Sequence, residues 1–320
     1  MAGTPSGGAG GTGGTGGVAA GAGGDGAGGE PEPPPLPPEL TWRLEEGDGS
    51  AIWGSGPNDI YIAGSLGTIM HSTGDGVWTS QVSDTNARLT GIWGSGPADI
   101  YISVSSNVIL HSTGNGEWEH QGTDVGFTHN DVWGTGPDNI YALIGGGVMH
   151  SSGDGAWELE EIMAGPPVAF ALWGSSPTDI YLAAGFANNP TIYHSTGDGT
   201  WRGQTGSPPV TLDDITGAGP DQIYATGGDA VYSSRGDGAW TVELTFEEDF
   251  AQVIWALDSE HVYACTQNDG WFYSSNGAGT WSSGTRIDPA LEVSCGGIWG
   301  TSPSDLYVAT SNGIYHGTAN

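Results

Sequence analysis

A tryptophan recurs along this chain about every forty residues, at Trp53, Trp93, Trp133 and Trp173, and Trp255 and Trp299 continue the series after Thr216 stands in once. Each opens a phrase such as Ile-Trp-Gly-Ser-Gly-Pro-Asn-Asp-Ile-Tyr (52–61), so the unit occurs seven times. A second tryptophan follows roughly 25 residues behind the first, at Trp78, Trp118, Trp157, Trp201, Trp240 and Trp281, just after a Gly-rich turn. Between these marks the runs are β-branched and aromatic, with Gly, Pro, Asn and Asp gathered at the joints. No stretch carries a 3.6-residue apolar period, which leaves room only for short helices. A period near forty with four short strands per unit predicts an all-β chain, a seven-bladed β-propeller of four-stranded antiparallel blades.

Phase shows how the ring closes. The seventh unit begins at Ile298-Trp299 and reaches 316–320 without its second tryptophan, whereas Trp42 stands in a strand-like run with no first-type phrase before it. Residues 40–46 are therefore expected to complete the last blade, which removes an unpaired edge. In the second repeat the strands read as 89–94, 100–104, 108–112 and 117–121.

The first 39 residues obey other rules. Residues 7–29 are almost only Gly, Ala and Thr, and 30–38 are Pro-rich, so 1–39 reads as a disordered tether ahead of a propeller over 40–320. Thirty-seven acidic residues face five arginines and no lysine, a net charge of −32. That charge repels phosphate backbones and anionic lipid heads, and argues against nucleic-acid binding and adsorption to an acidic membrane. The chain opens on Met1-Ala2 with no apolar signal segment and carries no membrane-spanning run. Cys265 and Cys295 fall on neighbouring blades, where a disulfide is reasonable in an exported protein, and two buried free thiols are the alternative. They lack the paired spacing of a zinc site.

Five of the eight histidines share one repeat position at the end of the third strand, His71, His111, His150, His194 and His316, with Ser233 and Ser274 in the other two units. One per blade, they lie around a circle and cannot converge on a single metal ion. A different set, His129, Asp131, Asp213 and Asp214, falls at or beside inner-strand positions near a central channel. Its oxygen-rich character would suit Ca2+ or another divalent cation.

The phrases 194–201 and 274–281 resemble the Asp-box turn found between the third and fourth strands of many propellers. The resemblance implies a hairpin locked by side-chain to backbone hydrogen bonds. Histidine in that phrase is then either a turn-locking group or a ligand contact. The run 59–64 with 69–71 and 76–78 resembles the blade phrase of bacterial seven-bladed propeller lectins and tectonin-type repeat proteins. That likeness implies glycans or another cell-surface ligand held at inter-blade pockets, by the repeat histidines and the faces of Trp78, Trp118, Trp157 and Trp201. Long Gly-rich tethers resemble those of bacterial surface lipoproteins, although the lipid-bearing cysteine is absent. Enzyme readings lack their signatures: no Gly-x-Ser-x-Gly elbow and no Arg-Ile-Pro segment of the sialidase kind. Glu45-Glu46, Glu160-Glu161 and Glu247-Glu248-Asp249 are not placed to face each other across a sugar.

The expectation is a non-catalytic, monomeric, extracytoplasmic binding module, secreted or tethered, with lectin-like recognition. A cation-binding channel and a protein-docking scaffold are the alternatives. Docking predicts an apolar patch on one rim, and the inter-blade loops read as polar.

Overall fold

Second strands such as Asp59–Ala63 and Asp99–Val104 are mostly apolar and buried from their second residue on, which suits a strand covered on both faces. Outer strands such as Glu119–Gly122 are polar and largely exposed. Each unit thus has a buried middle and a wet outer edge, and it must lay both faces against neighbours. A computed structural model shows how it does so. It describes residues 33–45, 47, 49–106, 108–122, 129–145, 147–162, 168–185 and 191–319, so the predicted tether lies mostly outside the described residues. Residues 34–320 form one compact unit.

Seven antiparallel blades follow in order, spanning 51–81, 89–122, 129–162, 168–203, 214–245, 251–286 and 295–319. Leu40–Glu45 pairs with Gly313–Ala319 as the fourth strand of blade seven, the predicted closure, with Leu40 opposite Ala319 and Glu45 opposite Ile314. The outer strands of blades three and four also pair in parallel at Glu161–Thr200 and Ile162–Trp201, joining two blades into one eight-stranded sheet. In blade two the inner strand runs Leu89–Gly96, two residues beyond its expected end, because the register shifts between Gly94 and Gly96. Its outer strand starts late, at Glu119. The only helical element among the described residues is the 3₁₀ turn Ser65–Gly67.

Inner strands run from one face of the disc to the other. On the turn face, the Gly-Pro turn after the first strand of blades one to three packs against the Gly-rich turn after the third. A Cβ on Gly74, Gly114 or Gly153 would sit 2.0 Å from the carbonyl oxygen of Pro57, Pro97 or Pro137. The opposite face, called here the loop face, carries the second hairpin of each blade and the blade-to-blade connections.

The Trp-Gly pair of the repeat phrase is one contact between blades. Trp53 lies over Gly94, Trp93 over Gly134, Trp133 over Gly174, Trp173 over Gly217 and Trp299 over Gly54, where an added Cβ would meet the indole at 2.5–2.8 Å. Where blade five replaces tryptophan by Thr216, the glycine of blade six becomes Ala256, and Ala256 N donates to Thr216 Oγ1. Glycine is required wherever the indole lies, and alanine fits where it does not.

The second tryptophans form a ring of latches. Trp78 Nε1 donates to Glu45, Trp118 to Gln81, Trp157 to Gln121, Trp201 to Glu160 and Trp240 to Gln204, at 2.6–3.2 Å. The acceptor is always the Glu or Gln three residues after the tryptophan of the preceding blade. Four of these rings lie edge-on to a second-strand tyrosine of that blade, as Trp118 does to Tyr61 and Trp78 to Tyr307. Two latches fail, both at blade six. Glu243 accepts instead from Ser233, and Trp281 Nε1 is left unpaired. Gly284 offers no side chain to Trp42, whose Nε1 is also buried without a partner. Each such orphan costs roughly 1–3 kcal/mol. At the joint of blades six and seven Cys265 is disulfide-bonded to Cys295, both in the core, with Cα atoms 6.0 Å apart.

Candidate functional site

The repeat histidines occupy the turn face, and each is built into its blade. His71 Nε2 bonds Asp59 Oδ1 at 2.8 Å while its ring stacks on Tyr61 at 4.3 Å. His111 does the same with Asp99 and Tyr101, His194 with Asp179 and Tyr181, and His316 with Asp305 and Tyr307. In blade three Asn139 takes the place of the aspartate and still bonds His150, at 2.8 Å. Ser55 also donates to Asp59, so the carboxylate is held from two sides and fixes the turn after the first strand. The Gly-rich hairpin itself is locked by Ser and Asp: Ser72 Oγ accepts from Gly74 N, and Asp75 Oδ1 from Val77 N. The histidine therefore braces the neighbouring turn rather than the hairpin the Asp-box likeness implied.

Blades five and six lose both partners of this clamp, since Gln222 and His261 stand where the aspartate would be, opposite Ser233 and Ser274. His316 gains a third partner, Glu45, whose carboxylate lies 3.4 Å from Nδ1. Hydrogen bonds to Asp305 and Glu45 raise its pKa to about 9, and the same contacts hold Asp305 below the usual carboxylate range. Glu45 is lowered as well, against the desolvation of its burial, by His316 and Trp78.

Trp118 and Trp201, two of the tryptophans expected to stack on sugars, are buried between blades. Trp78 and Trp157 are half-buried with their indole N–H groups latched.

The inner strands enclose a channel of about 610 Å³, lined by six first-type tryptophans, Trp53, Trp93, Trp133, Trp173, Trp255 and Trp299. Asp131 and Asp214 face it, and each carboxylate ties two blades. Asp131 accepts from Val132 N and, across the joint, from Leu172 N, while Asp214 accepts from Ile215 N and from Ile254 N of blade six. Desolvation is the main cause that pushes Asp131 up to about 7 and Asp214 to about 8. Gly91 is small because Asp131 leans on it, 2.5 Å from where a Cβ would stand. Asp213 is exposed on the channel rim, and the side chain of His129 lies outside the described residues. Among the described residues no group of three or more His, Cys, Asp or Glu side chains is placed to hold a metal ion.

The two irregular insertions are structural. Asp249 is buried and caps the hairpin of its own blade, accepting from Phe250 N, Asn268 N and Asp269 N. In the Pro-Pro insertion, Pro208 O accepts from Thr191 Oγ1 at 2.6 Å.

What the sequence did not announce is the loop face. Of the ten large apolar side chains exposed among the described residues, five lie here: Leu66, Val82, Phe170, Phe250 and Leu291. The polar reading of the inter-blade loops missed them because each stands alone, four in separate loops or turns and Phe170 near the start of the inner strand Val168–Ser176. Arg88, exposed at the head of the inner strand of blade two, is the one cation lining the channel among the described residues. Arg43, Arg202 and Arg286 are engaged by Glu45, Asp198 and Asp269, whereas Arg88 makes no ion pair among the described residues.

No protein-family model matches this chain, and no curated protein sequence does so either. Among solved structures, virginiamycin B lyase from Staphylococcus aureus, in a catalytically inactive form with quinupristin, superposes with a TM-score of 0.78 at 13% identity over 88% of this chain and all of that one (100%). YCF48 bound to D1 peptide gives 0.72 at 14% identity, over 88% of this chain and 97% of its own. The WD40 propeller domain of Doa1 gives 0.69 at 11% identity, over 89% and 97%. A lyase, a peptide-bound protein and a WD40 domain thus share this architecture, and the likeness is one of fold: the chain is a seven-bladed β-propeller.

Proposed function

We propose that this protein is a non-catalytic binding module that docks an extended polypeptide segment on its loop face, across the mouth of the channel. The observation that carries the reading is the gathering of Leu66, Val82, Phe170, Phe250 and Leu291 on the same face as Arg88. Exposed apolar side chains collected on one rim are what a docking surface requires, and an arginine with no ion pair among the described residues supplies an anchor for a carboxylate. The acidic surface around it repels anionic partners elsewhere, which favours approach to this spot. YCF48, a propeller of the same build, has been captured with a peptide, and that precedent agrees with the reading. Glycan recognition at repeated pockets draws no support from the latched tryptophans, and a channel cation none from carboxylates already engaged by backbone N–H groups.

A peptide array of proline-free and proline-rich segments ending in free or amidated carboxyl groups tests this directly, beside a glycan array with and without calcium. Selective capture of peptides, weakened about tenfold or more by Arg88→Glu or Phe170→Ala with the melting temperature unchanged, is expected. Glycan capture insensitive to both substitutions overturns it.

A further inference from the structure

We propose that blade six is the gate of the ring, a blade built to part from its neighbours and held shut by the Cys265–Cys295 disulfide and by the chain's own proline segment 34–38. The latch and the clamp that fasten blades one to four are both missing at this one, although Gln222 Nε2 and Tyr224 Oη of blade five still donate to Gly277 O in its turn. Both of its latches are missing, and Trp281 and Trp42 keep unpaired indole N–H groups on either side of it. The latch to Trp42 cannot be built at all, because Gly284 sits at φ +79 and a Cβ there would stand 2.5 Å from Tyr273. Its His–Asp clamp is gone, and Tyr263 is left with a buried, unpartnered hydroxyl. Its outer strand is only Thr285–Arg286, and Trp281 touches the sheet through a single bridge to Ser275.

Beyond those bonds from blade five, two fastenings found nowhere else among the described residues compensate. The disulfide crosses from the second strand of blade six to the first of blade seven. The proline segment crosses the turn face: Asn276 Nδ2 donates to Pro34 O at 2.7 Å, and Pro37 is buried. Asn276 is fitted for both tasks, since its Oδ1 accepts from Ala278 N and Thr280 N to hold the turn while its amide N–H holds the strap. At the equivalent place the other turns carry Thr73, Thr113, Ser152, Thr196 and Arg235, none of which has a carboxamide. A proline-rich strand is already extended, so it docks with little loss of chain entropy. Trp42 then packs edge-on against Phe272 of blade six at 4.8 Å, and the segment that straps the gate is continuous with the strand that closes the ring.

Hydrogen exchange of the full chain reads the gate directly. Exchange would be followed in 39–45 and 271–287, with 89–122 of blade two as the internal standard. Three forms are compared with the oxidised protein: that protein under a dithiol reductant, Cys265→Ser/Cys295→Ser, and Asn276→Asp, which keeps the turn acceptor and removes the strap donor. At least tenfold faster exchange in 271–287 for a disulfide-free form, and in 39–45 for Asn276→Asp, with blade two unchanged, is expected. Exchange that rises equally in all blades, or in none, overturns the gate. If the double variant does not fold, the reductant arm alone decides.

Discussion

Blades one to four and blade six follow the same forty-residue plan and hold together by different means. In the first group one set of contacts repeats: indole over glycine, indole N–H to the Glu or Gln of the blade before, histidine between tyrosine and an aspartate, or Asn139 in blade three. Blade six gives up the latch and the clamp and is fastened by a disulfide and a strap. The difference teaches that the plan is a set of paired requirements rather than a list of residues. Thr216 arrives with Ala256, and the loss of aspartate at Gln222 and His261 arrives with Ser233 and Ser274. At the indole contact a change in one member alone leaves a clash, and a change in both leaves none, whereas the loss of both clamp partners in blade six leaves the Tyr263 hydroxyl unpaired among the described residues.

The largest effect should come from the indole contacts. Gly94→Ala forces a Cβ against Trp53 and the Asp99 carbonyl and should cost about 3 kcal/mol in denaturant unfolding. Ala256→Gly, at the equivalent place under Thr216, should cost less than about 1 kcal/mol. Equal costs at the two sites would break the pairing. Next comes the closure joint, where Glu45→Ala strips the acceptor from Trp78 and a partner from His316, for about 2–3 kcal/mol.

His316 gives that joint a pH signature. Its pKa rises from about 6.5 unfolded to about 9 folded, so its contribution is fully present below pH ~6.5 and lost as pH rises through about 9. His316→Gln should therefore lower the melting temperature at pH 6 and lose most of that effect near pH 10. A pH-independent deficit would mean that packing on Tyr307, not charge, is what matters. Smaller still, His71→Ala should cost about 1–2 kcal/mol by freeing Asp59 and uncovering Tyr61, with ligand binding untouched.

Much of this was legible in the sequence. Trp53 and its successors marked seven units, and the phase of Trp42 against Trp299 located the closing strand. Cys265 and Cys295 stood close enough in the repeat to be paired. The latch motif, Trp-x-x-Glu or Trp-x-x-Gln, was also written there and escaped reading, because Trp118 bonds Gln81 from the unit before and local spacing does not reveal that step. The histidines misled for the same reason: their partner Asp59 lies twelve residues upstream, at the head of another strand. Asp131 and Asp214 read as ligands because nothing in sequence shows that the amides of Leu172 and Ile254 occupy their oxygens.

The sequence by itself determined the number of blades, their phase and the closure, because a sheet of four short strands with two apolar faces is stable only when stacked, and a fixed period repeats that demand identically. Only the tertiary structure decided which isolated residues become a surface. Leu66, Val82, Phe170, Phe250, Leu291 and Arg88 are scattered over more than 220 positions as single departures from polar loops. Closing the ring turns every such loop toward one side, so side chains with no relation along the chain come to share a face.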